Sequence, residues 1–153
     1  MQSSHAAAAV AAAFDEPNLV ADAGLVPLIR LAERTGLPSL VRQHVKIKDA
    51  ANSGGANPDA KVMSLVAGMC AGADSIEDLH RLRHGAMHRL FEGVRAPSTA
   101  GTFLRSFTHG HSRQLHRVHR AFLARLARHT PLLPDARTVA FVDIDPTHRQ
   151  VYG

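Results

Sequence analysis

The chain has 153 residues, enough for one well-buried core and the beginning of a second domain. Its only cysteine, Cys70, excludes a disulfide framework, and its longest apolar stretch, residues 62–73, is shorter than the roughly 20 residues of a membrane span. The net charge of +5 is concentrated in residues 80–129, which carry ten arginines and a single acid, Glu92.

The chain begins with an alanine-rich run over residues 1–17. This run lacks the basic flank and the leucine-rich segment of a signal peptide, so we expect a cytoplasmic protein without a membrane partner. Alanine favours a helix but offers little surface for packing. We therefore predict that residues 1–17 form a disordered or loosely helical tail.

Apolar residues recur with helical spacing through residues 18–134, which we predict to be one helical, basic domain. Asn57-Pro58-Asp59 is a typical helix start, and in the helix that follows we expect Met69 and Cys70 to pack in the core. The expected helices are, in chain order, residues 25–32, 37–45, from 58 onwards, 75–83, 86–91, from 97 onwards, and 112–128. Residues 48–57, rich in glycine and asparagine, are predicted to be a loop.

The longest predicted helix, residues 112–128, has an apolar stripe at spacings of three and four. Arg113, Arg117 and Arg120 fall away from that stripe and within about two turns of one another. Arginine pairs with phosphate through two parallel hydrogen bonds, so these residues are the candidate contacts to double-stranded DNA. The alternative is an arginine-rich solvated surface without a partner.

Two further patterns in the basic region have competing interpretations. The two helices within residues 98–128 could form a helix-turn-helix that inserts into a DNA groove, or simply an all-α core. His80, His84 and His88 are spaced by four, as zinc ligands on one helical face would be. Gly85 interrupts that helix, and histidines that donate to phosphate or to solvent are the simpler interpretation.

The last residues of the chain carry the main chemical signal. A short apolar strand over residues 138–143 leads into Asp143 and Asp145, whose side chains share one side of a strand. Two close carboxylates repel each other unless a cation lies between them, and oxygen ligands suit Mg²⁺. A solvated Asp-Pro-Thr turn would explain the same pattern without metal.

The order of these segments resembles the N-terminal half of DDE-type transposases of bacterial insertion sequences, in the thirteen-eighty family. The segments that carry the resemblance are residues 24–37, 73–83, 96–107 running on to 114–115, and 142–147 with 151–153. The resemblance implies a mainly α chain, with a helical N-terminal domain followed by the first strand or strands of a truncated ribonuclease H-like α/β domain over residues 135–153.

The resemblance also implies a function in DNA transposition. In this family three acids hold two Mg²⁺ ions for DNA strand cleavage and transfer at terminal inverted repeats. The first acid corresponds to Asp145, with Asp143 as the second candidate for the catalytic and metal-binding role. The other two acids have no counterpart in the chain, so we expect a truncated enzyme that is inactive by itself. An unpaired strand edge would favour association, which makes a homo-oligomer possible.

Two other functions compete with this one. Residues 142–147 also resemble the first motif of haloacid-dehalogenase-type phosphatases, in which Asp143 would be the nucleophile and Asp145 the general acid and base. The helical, arginine-rich residues upstream have no obvious role in that enzyme class. The remaining alternative is a helical DNA-binding protein without catalysis.

Overall fold

The computed structural model describes residues 16–48, 54–132 and 138. Within those residues the protein is mainly helical and contains no β-strand, which confirms the mainly α part of the prediction. The described residues form six α-helices and one 3₁₀ helix. The α-helices are α1 (Leu25–Arg34), α2 (Leu37–His44), α3 (Pro58–Cys70), α4 (Met87–Leu90), α5 (Pro97–Arg105) and α6 (His109–Leu126), and the 3₁₀ helix spans Glu77–Arg83 between α3 and α4.

Several parts of the prediction lie outside the described residues. They include most of the N-terminal tail and, apart from Thr138, the whole of the strand that leads into Asp143 and Asp145. The ribonuclease H-like segment therefore remains a sequence-based prediction. In the residues that the structure describes, no helix combines the length and apolar character needed to cross a membrane.

A tight turn at Gly36 connects α1 to α2. Thr35 ends α1 and is buried, and its hydroxyl donates to the Leu31 carbonyl at 2.7 Å. Gly36 then adopts a φ of 79°, a left-handed conformation that glycine tolerates best. A side chain at this position would also collide with the Arg125 guanidinium of α6. The turn thus places α2 beside both α1 and α6.

Two apolar clusters form the core, one on each side of α3. The first joins α1, α2, α5 and α6, and its buried members are Ala32, Leu37, Leu40, Val41, Val45, Phe103 and Val118. The second joins α1, α3, α4, α5 and the 3₁₀ helix, and its buried members are Leu25, Ala67, Leu79, Leu82, Met87 and Ala100. Leu65 of α3 packs against both clusters, so α3 links the two halves of the fold.

The orientation of α3 differs from the sequence-based prediction. Met69 is 73 % exposed and Cys70 is also exposed, so the prediction that both pack in the core was wrong. The buried positions are instead Lys61, Ser64, Ala67 and Gly68. Small side chains face inward because the neighbouring 3₁₀ helix approaches closely, with the Leu79 side chain filling the space where a Cβ of residue 68 would lie.

The 3₁₀ helix replaces the α-helix expected at residues 75–83. The Asp78 carboxylate accepts hydrogen bonds from the Ser75 hydroxyl and the Ser75 N–H, both at 2.8 Å. The hydrogen bonds from Ser75 hold the pKa of Asp78 below its ordinary value. The turn before the 3₁₀ helix is therefore fixed by one carboxylate.

Lys61 is a charged residue within this core. It is 3 % exposed, its Nζ donates to the Gly54 carbonyl at 2.9 Å, and it lies 5.5 Å from the centre of the Phe103 ring. Burial lowers the pKa of Lys61, and the positive charge of Arg95 lowers it further. The folded protein therefore binds the Lys61 proton less tightly than the unfolded chain does.

We predict that Lys61→Met removes part of the pH dependence of stability. The unfolded chain holds this proton up to a higher pH than the folded protein does. Burial of the protonated Lys61 therefore destabilises the folded protein fully at pH values below the pKa that Lys61 has in the folded state. This destabilisation diminishes as the pH rises from that pKa towards the ordinary value of 10.5.

Urea unfolding at about pH 7 and about pH 10 measures this effect. We compare the change in the free energy of unfolding from the lower to the higher pH. This change should be more positive in the wild type than in Lys61→Met. The matched control is Lys48→Met, because Lys48 is exposed. An identical pH dependence in the wild type and Lys61→Met would contradict the prediction.

Candidate nucleic-acid interface

The longest helix, α6, begins with a reciprocal cap. The Thr108 side chain accepts from the backbone N–H of His111, and the Thr108 N–H donates to His111 Nδ1 at 3.0 Å. Histidine here takes the role that glutamate or glutamine has in a capping box. The cap starts α6 at His109, three residues earlier than predicted, so the Thr-His-Gly-His segment belongs to the helix start rather than to a loop.

One side of α6 packs against α2, which is its principal helix neighbour. Val118 is buried in the first core cluster, and Leu115 and Phe122 pack against that cluster. Two hydrogen bonds lie at the two ends of this apolar interface. Gln114 accepts from the Lys46 N–H at 2.8 Å, and Arg125 Nη1 donates to the Gly36 carbonyl at 3.4 Å. The rotation of α6 about its axis is thereby fixed.

The opposite side of α6 carries the candidate DNA contacts. Arg113, Arg117 and Arg120 are all exposed. Their helical positions lie within about 60° of one another around the axis, and the first and last are about 10 Å apart along it. The structure thus places the three arginines predicted from sequence together on one exposed surface, which we call the α6 arginine face.

No arginine of the α6 arginine face forms an ion pair with an acid among the described residues. The two ion pairs among the described residues are Arg42–Asp59 at 2.6 Å and Arg81–Asp22 at 3.2 Å, and neither includes a residue of α6. The sequence contains no acid at all between Glu92 and Asp135. The positive charge of the face is therefore uncompensated within the part of the chain that the structure describes.

Other arginines of the basic region have structural partners. Arg81 pairs with Asp22, Arg89 donates to the Asn18 side chain at 2.6 Å, and Arg125 contacts the turn at Gly36. These residues connect distant parts of the chain. The block of ten arginines thus divides into residues that hold the fold together and residues that face solvent.

The helix-turn-helix interpretation gains little from the packing. α6 makes its main helix contact with α2, which precedes it by more than sixty residues in sequence. Its connection to α5 runs through Phe107, whose ring meets the Phe103 ring edge-on at 4.9 Å and the His111 ring at 5.9 Å. The packing of α6 therefore does not single out α5 and α6 as a two-helix motif among the described helices.

The zinc interpretation of the three histidines has no support in the described residues. His80 lies in the 3₁₀ helix, and its ring centre is 6.0 Å from that of His84. Gly85, with a φ of 55°, breaks the chain direction before His88, whose Nδ1 lies 3.1 Å from the Gly85 carbonyl. Across the described ranges no three metal-ligating side chains come together.

A groove of about 540 Å³ lies between α1, α3 and residues 89–94. Charged residues of both signs border it, including Arg30, Glu33 and Glu92, and its described lining contains no histidine or cysteine. Asp59, also at its edge, is already paired with Arg42. The groove therefore presents no convergent set of catalytic groups in the described part of the chain.

Asp143 and Asp145 lie outside the described residues, so their catalytic and Mg²⁺-binding roles stay predictions from sequence. Sequence reasoning missed the contacts that orient α6, namely Gln114 with Lys46 and Arg125 with Gly36. These pairs are separated by 68 and 89 residues, and no local pattern indicates them. Comparison with protein-family profiles, with curated proteins and with solved structures finds no match to this chain.

We predict that Thr108→Ala destabilises the protein by about 1 kcal/mol, because the first turn of α6 loses its cap. Thermal or urea unfolding measures the loss. Ser112→Ala is the matched control, since the Ser112 hydroxyl makes only a 3.5 Å contact with the Thr108 carbonyl. Equal stability of Thr108→Ala and Ser112→Ala would show that the cap contributes nothing.

Proposed function

We propose that this chain binds double-stranded DNA through the α6 arginine face, as the DNA-engaging helical region of a DDE transposase of the thirteen-eighty family. One observation carries the proposal: three exposed arginines lie on one side of a helix whose other side is anchored in the core, with no acid paired to them among the described residues.

The dimensions of the face suit a phosphate backbone. The three arginines extend about 10 Å along the helix axis, which is long enough to lie beside more than one phosphate of a DNA strand. The guanidinium group matches phosphate oxygens with two parallel hydrogen bonds. Such contacts position a protein on DNA without reading its sequence.

The link to transposition rests on the resemblance of residues 24–37, 73–83, 96–107 and 142–147. On this proposal the DNA substrate is a terminal inverted repeat, and the complete enzyme performs strand cleavage and transfer. Asp145, with Asp143 as second candidate, would hold Mg²⁺, which suits carboxylate oxygens and stabilises charge on a reacting phosphate.

We expect Arg113→Gln, Arg117→Gln and Arg120→Gln each to weaken duplex binding and to reduce its salt dependence. Each arginine that neutralises a phosphate contributes roughly 0.9 to the slope of log affinity against log salt, because a counterion is released. Fluorescence anisotropy with a labelled duplex over a range of salt concentrations measures both quantities.

The matched control is Arg83→Gln, which removes the same charge from the 3₁₀ helix, an element that does not pack on α6. The three α6 variants should lose affinity equally on unrelated duplex sequences. Losses confined to one terminal-repeat sequence would indicate base readout instead. Unchanged binding in all three variants would mean that the α6 arginine face is only solvated.

The carboxylate part of the proposal has a separate test. Mn²⁺, a paramagnetic substitute for Mg²⁺, should broaden the amide resonances around Asp143 and Asp145, and Asp145→Asn should reduce this effect. Absence of selective broadening would mean that these two aspartates alone do not hold the ion. A phosphatase turnover that Asp143→Asn abolishes would favour the haloacid-dehalogenase alternative over the transposase.

A further inference from the structure

A second basic segment lies directly beside α6. After α2 ends at His44, residues 45–48 leave the helix, and Val45 has extended backbone angles of −90° and 107°. Burial alternates along this segment: Val45 is buried, Ile47 is half-buried against the first core cluster, and Lys46 and Lys48 are exposed. In an extended chain alternate residues share a side, so both lysines point away from the core.

Gln114 connects this segment to α6. Its Oε1 accepts from the Lys46 N–H at 2.8 Å, and its Nε2 donates to the Lys46 carbonyl at 3.5 Å. A single amide side chain thus engages both backbone groups of one residue. Gln114 follows Arg113 directly and lies one helical turn before Arg117, so the contact places residues 46–48 at the edge of the α6 arginine face.

The two lysines differ in what they offer a ligand. Lys46 Nζ donates to the Arg42 carbonyl at 2.6 Å and so caps the last turn of α2. Lys48 forms no hydrogen bond or ion pair with the described residues and is exposed. Its side chain is exposed, as the three arginine side chains of the α6 arginine face are.

We propose that the phosphate-binding surface is composite, with Lys48 as an additional DNA-backbone contact and Gln114 as the positioning residue that holds the Lys48 segment against α6. This inference rests on the proposed function, because its ligand is the same duplex phosphate backbone. It adds a contact from a separate part of the chain and assigns a role to an uncharged residue. Gln114 acts through the Lys46 backbone and not through DNA.

The test is a double-mutant cycle of Lys48→Gln and Gln114→Met on duplex binding across salt concentrations. Lys48→Gln should lower the salt slope by about 0.9, because one phosphate contact is lost. Gln114→Met preserves side-chain length and charge but removes both hydrogen bonds to Lys46. It should weaken binding in the wild-type background and have little further effect when Lys48 is already replaced.

If Gln114 only stabilised the fold, Gln114→Met would weaken duplex binding equally in the wild type and in Lys48→Gln. It would also lower the melting temperature enough to explain that loss of affinity. That result, or an unchanged slope in Lys48→Gln, would overturn the composite surface. If Arg113→Gln lowers the slope while Lys48→Gln does not, only this inference fails. If the wild type binds no duplex at low salt, the proposed function fails and the composite surface fails with it.

Discussion

The packing of α2 against α3 and α6 is the interaction on which the rest of the fold depends. An isolated helix as short as α2, which runs from Leu37 to His44, is not stable in water, so its structure requires tertiary contacts. Leu40 and Val41 are fully buried between its neighbours, and Val45 continues this surface beyond the helix end. Because α2 is the principal partner of α6 among the described helices, it also determines which side of α6 faces away from them.

This arrangement has an electrostatic consequence. Arg113, Arg117 and Arg120 lie on one side of α6, and α6 has no acidic side chain along its length. The three guanidinium groups therefore repel one another when no anion is bound. The apolar contact around Val118 and the polar contacts at Gln114 and Arg125 hold the helix in place despite that repulsion. Binding of a polyanion would relieve the repulsion, so the feature that weakens the free protein would favour the proposed binding to DNA.

Local sequence patterns were sufficient for the positions of most helices. Pro58 at the first position of α3 and the periodic stripe through Val118 of α6 are signals of short range, and the structure has helices at both places. The patterns failed where burial depends on distant partners. Met69 is exposed and Lys61 buried because α3 has neighbours on several sides, which a single amphipathic stripe cannot describe.

The same division applies to the candidate site. Charge clustering and helical spacing identified Arg113, Arg117 and Arg120 as one surface, because these residues lie on a single helix. The proposed contribution of Lys48 could not be predicted in this way, since the position of its segment depends on a hydrogen bond between residues 46 and 114. Asp143 and Asp145 lie outside the described residues, and their roles rest on the sequence pattern and the resemblance alone.

The most direct measurement of the central claim is a nuclear magnetic resonance titration of the protein with a short duplex of arbitrary sequence. We predict that amide shifts change along Arg113 to Arg120 of α6 and at residues 46–48, and that the changes diminish as salt is added. The 3₁₀ helix and α1 should be unaffected. Shift changes centred on Glu77–Arg83, or none along α6 at low salt, would contradict the claim that α6 is the DNA-binding surface.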